Sequence, residues 1–322
     1  PGPRPGSSRV SATLTRDAGT PALRGRLSYD EPLARRTSWR VGGPAERCYR
    51  PADVDDLAAF LAGLPAGEPV FWLGLGSNVL IRDGGLPGTV VLTAGLLDGI
   101  GLAEDGTLRV QAGVTCARLA RFAARHGLTG VEFLAGIPGT LGGALAMNAG
   151  AWGGGTWQHV ERVETLDRAG QRRVRPRADY RVGYREVHGP AGEWFVTVWL
   201  RLPQGDPSEA TLRVRSLLRR RAQTQPMGQA SCGSVFRNHP GDFAGRLIEA
   251  CGLKGARGGG ARVSEKHANF ILNEGGATAK DLETLLRQVQ ETVERVQGVR
   301  LEPEVRIVGV EKGPAGAARG EG

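Results

Sequence analysis

The sequence predicts an α+β protein built from two or three structural units. Its 322 residues are 40% hydrophobic, which is enough to bury more than one core. Helical and strand-like patterns both occur: apolar residues recur every three or four positions over residues 279–297, whereas residues 160–166 form a short strand-like run. The pattern changes near residue 93, and residues 203–207 resemble a linker. These breaks divide the chain into units.

The first unit should begin near Leu27 and contain one helix and several short strands. Asp53 can cap the helix. The apolar residues of this helix fall on one face, namely Val54, Leu57, Phe60 and Leu61. Apolar segments separated by glycine-rich turns follow it, and we expect strands at residues 69–73, 79–81 and 89–92.

The second unit should start with a strand at residues 107–111. A helix is expected to follow from Thr115 until Gly127 stops it, because glycine readily adopts the left-handed conformation that ends helices. Its inward-facing residues would be Leu119, Phe122 and Ala123. Further strands are expected at residues 160–166 and 194–202.

The third unit should be mainly helical. Ser208 is expected to cap a helix with Leu212, Leu217 and Leu218 as its apolar residues. Its arginines should form a solvated face: Arg213, Arg215, Arg219, Arg220 and Arg221. A second helix is expected around residues 243–251. The apolar stripe of residues 279–297 predicts a third helix that packs on a sheet, through Leu282, Leu285, Leu286, Val289, Val293 and Val296.

The net charge of +9 does not require a nucleic-acid partner. Nearly half of the excess lies in residues 1–26, whose composition predicts a disordered tail, and residues 311–322 predict another. The rest of the chain lacks a basic stripe interleaved with aromatic residues. That charge suits a protein that binds phosphates and carboxylates.

Cysteine spacing and hydropathy exclude several other classes. The four cysteines lie far apart without a C-x-x-C pair, which predicts reduced thiols, no metal site and a packing role for Cys232. No apolar run of about 18 residues occurs, and no signal-peptide pattern is present. We therefore expect a cytoplasmic protein with no membrane contact.

Two glycine-rich segments are candidates for binding an anionic cofactor. Residues 74–78 follow a predicted strand, where glycines let backbone N–H groups approach a pyrophosphate, although a plain glycine turn stays open. A Rossmann fingerprint is excluded because Val79 stands where its third glycine should be. In residues 136–144, Pro138 removes one donor and the glycines around it free the other donors to converge on a phosphate.

Several motifs together give the chain a resemblance to a known family. In the N-terminal half they are Trp-Arg-Val-Gly-Gly-Pro-Ala at 39–45, Gly-Leu-Gly-Ser-Asn-Val-Leu at 74–80, Ile-Pro-Gly-Thr-Leu-Gly-Gly at 137–143 and Met-Asn-Ala-Gly-Ala at 147–151. In the C-terminal half they are Gly-Ser-Val-Phe-Arg-Asn at 233–238, Leu-Ile-Glu at 247–249, Gly-Leu-Lys-Gly at 252–255, His-Ala-Asn-Phe at 267–270 and Leu-Glu-Pro-Glu-Val at 301–305. In this order, over about residues 27–309, the chain resembles the UDP-N-acetylenolpyruvoylglucosamine reductase (MurB) family.

The resemblance implies a fold. It comprises a two-part FAD-binding domain of the vanillyl-alcohol-oxidase-like (PCMH) type and a C-terminal α+β substrate domain. The first part would be residues 27–92 with a returning strand at about 302–310, the second part residues 93–204, and the substrate domain residues 205–301. Only 48 residues (186–233) separate Arg185 from Ser234, which resembles the shorter variant of the family without a tyrosine-bearing insertion loop.

The resemblance also implies an activity. It is the NADPH-dependent reduction of UDP-N-acetylglucosamine enolpyruvate to UDP-N-acetylmuramate through bound FAD, a step in peptidoglycan precursor synthesis. The partners would be these small molecules, and we expect a monomer.

Three residues would carry the reaction. Arg185, in the family's Tyr-Arg motif, would stabilise the charge that develops on the substrate carboxylate, since a guanidinium is always protonated. Arg181 stays open as the alternative. Ser234 would donate the proton, and Glu304 would assist the enol or orient the acid.

Further residues would bind the ligands. FAD would contact Gly74, Gly76, Ser77, Asn78, Ile137, Pro138, Gly139, Thr140, Gly142, Gly143, Asn148 and Gly150. Substrate or NADPH would contact Asn238, Lys254 and His267, although His267 could equally be a packed, neutral histidine.

Three other functions stay open at this point. The nearest is an oxidase of the related FAD fold, against which the segment at 233–238 argues. The others are a nucleic-acid-binding module that uses the basic tail and residues 219–221, and a carrier of UDP-sugar or flavin without catalysis.

Overall fold

A computed structural model describes residues 22–313 of the chain. The predicted tails therefore lie largely outside the described residues. Among those described, Arg24 pairs with Asp53, and the strand that starts at Arg26 is already part of the fold. The domain boundaries at 92/93 and 204/205 stay predictions.

The described residues form six α-helices. They are α1 (Val54–Ala62), α2 (Cys116–Arg125), α3 (Leu141–Ala146), α4 (Pro207–Thr224), α5 (Ala244–Ala250) and α6 (Ala279–Gln297). The cap predicted for α1 is confirmed, because the side chain of Asp53 accepts a hydrogen bond from the amide of Asp56. Helix α2 begins after Thr115, as predicted, and the Thr115 side chain caps it by accepting from the amide of Arg118. The α6 prediction is confirmed over its full length.

The strands of the described residues are mostly short. They are β1 (Arg26–Pro32), β2 (Pro44–Arg50), β3 (Val70–Leu73), β4 (Val79–Ile81), β5 (Leu86–Leu92), β6 (Ile100–Leu102), β7 (Leu108–Gln111), β8 (Gly150–Ala151), β9 (Gly154–Gly155), β10 (Val160–Asp167), β11 (Arg172–Pro176), β12 (Arg181–Gly183), β13 (Glu186–His188), β14 (Glu193–Leu200), β15 (Arg257–Gly258), β16 (Ala261–Val263), β17 (Ile271–Asn273) and β18 (Arg306–Val308). All six strands predicted before residue 203 are present within a few residues.

Two larger sheets form the N-terminal two thirds of the fold. The first has the order β1-β2-β5-β3, with β2, β5 and β3 parallel, and the second is the antiparallel sheet β11-β10-β14-β7-β6. A shared core joins them, because Leu57 of α1 packs with Leu166 of β10 and Val196 of β14. On its other side, the second sheet packs against α2, α3 and α4.

The C-terminal unit has its own core, which extends into the N-terminal part. Helices α5 and α6 pack with β16 and β17, and Trp39 and Leu80 belong to the same cluster. The Trp39 indole donates to the carbonyl of Ile271 at 2.7 Å. Asp83 accepts from the first amides of α6, at Ala279 and Lys280. These contacts dock the C-terminal unit against the segment before β2 and the turn after β4.

Some sequence predictions for these elements are wrong. Asp206 caps α4 in place of Ser208, and the face of α4 that packs contains Ala210 and Val214. Leu212 lies two positions after the buried Ala210, so its side chain points to the other side of the helix and is 61% exposed. At the end of the helix, Arg221 is half-buried and does not belong to a solvated face.

Strands β1 and β2 and the hairpin β12–β13 have no counterpart in the sequence predictions. Strand β1 has exposed or half-buried positions throughout, so no apolar alternation marks it. In α6, Val296 is 50% exposed and leaves the apolar stripe in the last turn.

A buried carboxylate, Asp56, fastens the start of the described chain to α1. Its oxygens accept hydrogen bonds from the Tyr49 hydroxyl at 2.7 Å, from the amides of Arg24 and Gly25, and from the amide of Ala52. Burial raises the pKa of Asp56, but these hydrogen bonds outweigh that effect and leave the pKa below its ordinary value.

Replacing Asp56 by Asn should therefore lower the free energy of unfolding by about 2–3 kcal/mol near neutral pH, since charged hydrogen bonds are lost. A depressed pKa contributes stability above the unfolded-state pKa of about 3.9, and this contribution disappears as pH falls through the lower folded value. The difference between the two proteins should thus shrink in acid, as measured by urea unfolding. Asp55→Asn is the matched control, because Asp55 is an exposed neighbour in α1 whose ion pair contributes little. An equal loss in both variants would contradict the role of Asp56.

Candidate active site

The two glycine-rich segments line one cavity. Its volume is about 620 Å³, and it lies beside the carboxyl end of β3 and the start of α3. Nine of the predicted cofactor residues line it: Gly74, Gly76, Ser77, Asn78, Ile137, Gly139, Thr140, Gly142 and Gly143. The structure thus brings together two segments about 60 residues apart in the sequence.

Glycine is required where these segments approach each other. A Cβ at Gly74 would overlap the hydroxyl of Thr140, which is buried and caps α3. A Cβ at Gly142 would lie 2.9 Å from the Cβ of Ala112. Gly76 adopts φ +59°, a conformation that other residues rarely accept. Larger residues at these positions would therefore push the packed segments apart.

Three predicted cofactor residues do not line the cavity: Pro138, Asn148 and Gly150. Asn148 instead donates to the carbonyl of Gly183 at 2.8 Å, and its amide oxygen accepts from the amide of Trp157. The carbonyl of Gly150 accepts from Arg185 Nη2 at 2.8 Å. These two residues therefore support the hairpin that carries Arg185.

Aromatic side chains form a part of the cavity that the glycine pattern does not reveal. Trp72 and Trp194 both line it, with ring centroids 5.3 Å apart. The indole nitrogen of Trp72 and the hydroxyl of Tyr180 are buried and have no hydrogen-bond partner within the described residues. Burial raises the pKa of Tyr180 to about 12, so it is a neutral donor. The one sequence signal for these aromatic residues is the position of Trp72, shortly before the glycine-rich segment that begins at Gly74.

An ion pair connects two of the predicted catalytic residues. Arg185 Nε donates to Glu304 Oε1 at 2.9 Å, and the two side chains are 19% and 12% exposed. Arg185 has φ +58°, and its guanidinium carbon lies 5.2 Å from the centre of the Tyr184 ring. Burial raises the pKa of Glu304, whereas the charges of Arg185 and Arg237 oppose that rise.

Ser234 lies in the chain segment that pairs with the backbone of Glu304. The amide of Glu304 donates to the carbonyl of Val235 at 2.7 Å, and Asn269 holds Phe236 through two hydrogen bonds. Asn78, which lines the cavity, donates to the carbonyl of Glu304 at 3.1 Å. The cavity, the ion pair and the Ser234 segment are therefore neighbours.

The structure favours Arg185 over Arg181 as the functional arginine. Arg181 is exposed in β12, opposite His188 of β13, and forms no ion pair with any described residue. Arg185 lies at the turn between the same strands, where it reaches Glu304.

Two family models match the chain. The model "FAD binding domain" matches residues 45–174, and "UDP-N-acetylenolpyruvoylglucosamine reductase, C-terminal domain" matches residues 225–308. The UDP-N-acetylenolpyruvoylglucosamine reductase of Alkalilimnicola ehrlichii is 61% identical over 285 residues, which cover 88% of this chain and 95% of that protein. The one of Methylococcus capsulatus is 59% identical over 286 residues, which cover 89% and 94%. The chain belongs to the UDP-N-acetylenolpyruvoylglucosamine reductase family.

Solved structures agree with this assignment. The UDP-N-acetylenolpyruvylglucosamine reductase of Thermus caldophilus matches with a TM-score of 0.76 and 36% identity, over 89% of this chain and 99% of that one. The 6-hydroxy-D-nicotine oxidase of Arthrobacter nicotinovorans matches with a TM-score of 0.52 and 13% identity, over 87% and 88%, a likeness of fold alone. The predicted fold class, with an FAD-binding part and a C-terminal domain of this family, is confirmed. The chain is an FAD-dependent oxidoreductase.

The cavity fits the FAD that this family requires. Its volume lies within the range of cofactor sites, about 300–1,000 Å³. The glycines of both segments, which leave backbone N–H groups open to close approach, suit the diphosphate, and the unpaired donors of Trp72 and Tyr180 suit a polar aromatic ligand. Residues 74–78 and 137–143 would hold the cofactor. Arg306 also lines this cavity and was absent from the sequence predictions.

The residues predicted to bind substrate surround α5 and the Ser234 segment. The side chain of Asn238 accepts from the amide of Ala244, and Lys254 pairs with Glu249 at 2.6 Å. Burial lowers the pKa of His267, which also packs edge-on against Phe270. A neutral, packed histidine is therefore favoured at this position.

The thiol of Cys232 is buried in the same region. Burial, together with the charge of Glu304, raises its pKa well above the ordinary value. Cys232 is a protonated packing residue, as the sequence predicts.

No described helix combines the length and the apolar composition needed to cross a membrane.

Gly74→Ala should weaken FAD binding. The new Cβ would displace Thr140, and overpacking of this kind costs about 1–3 kcal/mol, which, if it falls on the FAD-bound state, corresponds to a rise in the dissociation constant of about 5-fold to 140-fold. Fluorescence titration of the FAD-free protein measures the constant. Gly67→Ala is the control, since no atom lies within 4 Å of its added Cβ. Equal FAD affinity in both variants would contradict the close approach of the two segments.

Proposed function

We propose that this chain reduces UDP-N-acetylenolpyruvoylglucosamine to UDP-N-acetylmuramate, with NADPH as the reductant, in peptidoglycan precursor synthesis. The names of its relatives support the substrate. The observation that carries the mechanism is the ion pair of Arg185 and Glu304 beside both the FAD cavity and the Ser234 segment.

The reaction adds a hydride and a proton across the enolpyruvyl double bond. Bound FAD, once reduced by NADPH, would be the source of the hydride for the terminal carbon, and residues 74–78 and 137–143 would hold it. Negative charge then develops at the internal carbon and is delocalised into the adjacent carboxylate. The protein must stabilise this charge and deliver one proton.

Arg185 is the group that stabilises the charge. Its Nε and Nη2 atoms are bound by Glu304 and Gly150, while Nη1 makes no hydrogen bond to any described residue. A guanidinium can therefore still donate from Nη1 to the substrate carboxylate. Because the group is partly buried, its interaction with developing charge is stronger than it would be in water.

Ser234 is the proton donor to the internal carbon, and solvent restores its proton afterwards. A hydroxyl acts as an acid only where nearby positive charge supports the alkoxide. The guanidiniums that act on Glu304, those of Arg185 and Arg237, are the candidates for this support. Glu304 orients Arg185 through their ion pair.

One cleft is proposed to serve both substrates in turn. NADPH binds first and leaves as NADP⁺, and the UDP-sugar then takes its place. Lys254 and Asn238, near the Ser234 segment, are the proposed contacts to phosphate and sugar groups, and His267 is a weaker candidate because it is packed.

Absorbance spectroscopy tests the cycle directly. The purified protein should carry a yellow flavin, which NADPH bleaches without oxygen and the enolpyruvyl UDP-sugar restores. A protein that FAD cannot reconstitute, or one that consumes oxygen with an alcohol and ignores NADPH, would contradict the proposal in favour of a carrier or an oxidase.

Ser234→Ala should separate the two half-reactions. Flavin reduction by NADPH should stay largely intact, whereas reoxidation by the UDP-sugar should slow by about 10²–10⁴, the contribution of general acid catalysis. Stopped-flow absorbance measures both rates. An equal fall in the two rates would assign Ser234 to cofactor placement.

Arg185→Lys should also slow reoxidation strongly. A planar guanidinium can bind Glu304 and the substrate carboxylate at the same time, whereas the ammonium group of lysine lacks this geometry. The expected loss is about 10²–10³, the range for one lost oxyanion donor. Arg181→Lys is the matched control and should behave like the unaltered protein, because Arg181 is exposed. The reverse result would make Arg181 the catalytic arginine.

A further inference from the structure

The turn that carries Arg185 belongs to a two-stranded hairpin that does not join a larger sheet. Strands β12 and β13 form a separate two-stranded sheet whose outer positions are exposed. Arg185 at its tip has φ +58°, which is unfavourable for a residue with a long side chain. Such a conformation persists only where the surroundings hold it.

The Ser234 segment supplies one of these supports. Arg237 Nη2 donates to the main-chain carbonyl of Arg185 at 3.4 Å. A second contact spans the same gap, because the amide of Asn238 donates to the Tyr184 hydroxyl at 3.5 Å. Consecutive residues of one segment therefore contact consecutive residues of the turn.

Arg237 is anchored on its other side. Its amide donates to the carbonyl of Glu302 at 2.9 Å, and its Nη1 lies 3.8 Å from the Glu302 carboxylate. Its Nε is buried and has no partner within the described residues. A surface ion pair would leave this atom in water, so the side chain is held between Glu302 and the turn.

We propose that Arg237 is a positioning residue, which holds the turn of Arg185 against the Ser234 segment and adds a second positive charge next to Glu304. The proposal rests on the proposed function, since it assigns Arg237 a role toward Arg185, Ser234 and Glu304. Arg237 acts through these residues.

The charges around Glu304 support this role. The positive charges of Arg185, from the turn, and of Arg237, from the Ser234 segment, both act on its carboxylate. The charge of Glu304 in turn acts on the buried thiol of Cys232. Burial raises the pKa of Glu304, and both guanidiniums oppose that rise. Removing the charge of Arg237 should therefore raise the pKa further and leave more Glu304 protonated near neutral pH.

The test compares Arg237→Gln and Arg237→Lys in the FAD-loaded enzyme. Each protein is reduced with NADPH, mixed with the enolpyruvyl UDP-sugar, and followed by flavin absorbance over a range of pH. Arg237→Gln should slow reoxidation by about 10-fold to 100-fold, the effect of a small misplacement of catalytic groups. In this variant, the fall of the reoxidation rate on the acid side of its pH profile should move to higher pH, because ionised Glu304 is needed to orient Arg185. Flavin reduction by NADPH should change little.

Arg237→Lys keeps the positive charge, so the acid side of its pH profile should lie where it does in the unaltered enzyme. The rate of flavin reoxidation should recover only in part. Arg246→Gln is the matched control: Arg246 pairs with Asp242 on the exposed side of α5, and its loss should change neither rate. If Arg237→Gln leaves the rate and the acid side of the pH profile unchanged, or slows both half-reactions equally, the inference is overturned. If the unaltered enzyme is not reoxidised by the UDP-sugar, the proposed function falls as well.

Discussion

The pairing of β18 with β4 holds the parts of the site together. Strand β18 begins two residues after Glu304 and runs parallel to β4, which directly follows the cavity segment that ends at Asn78. Asn78 fixes the junction from both sides, since its side chain donates to the carbonyl of Glu304 and its own carbonyl accepts from the amide of Arg306. The two strands are more than 200 residues apart in the chain. Glu304 is thus positioned beside the FAD cavity through its main chain, whose carbonyl accepts from the Asn78 side chain and whose amide donates to the carbonyl of Val235.

The ion pair of Arg185 and Glu304 contributes more to the orientation of the arginine than to the stability of the fold. Two charged groups lose much of their hydration at 19% and 12% exposure, and such a penalty often exceeds the Coulombic gain. The left-handed backbone of Arg185 adds strain. A strained, partly buried guanidinium is preorganised for charge that appears only during a reaction.

Local signals in the sequence were sufficient for much of the fold and for part of the site. Caps and apolar stripes predict α1, α2 and α6 because these features act within a few residues. The glycine segments likewise indicate the cavity, since the absence of Cβ atoms is itself the signal. Hairpin β12–β13 could not be predicted in this way, because Asn148 and Glu304 hold it from elsewhere in the chain.

The same limit applies to the aromatic wall of the cavity. Trp72 and Trp194 stack although 121 positions separate them, and neither belongs to a motif. The family resemblance implies that Asn148 and Gly150 contact the cofactor, yet in the structure both form hydrogen bonds with the hairpin that carries Arg185. Spacing identifies which segments matter, but only the folded chain shows which side of a segment faces the ligand.

The division of the site between two units explains how one FAD fold can support different reactions. The FAD-binding model ends at residue 174, and the C-terminal model begins at 225, so Ser234 and Glu304 lie inside the second model and Arg185 lies in neither. The 6-hydroxy-D-nicotine oxidase resembles this chain in fold at only 13% identity. The FAD-binding part would hold the cofactor. In the proposed reaction the residues that act beside the cofactor are Ser234 and Glu304, and both belong to the C-terminal part of the chain, which docks through contacts with Trp39 and Asp83.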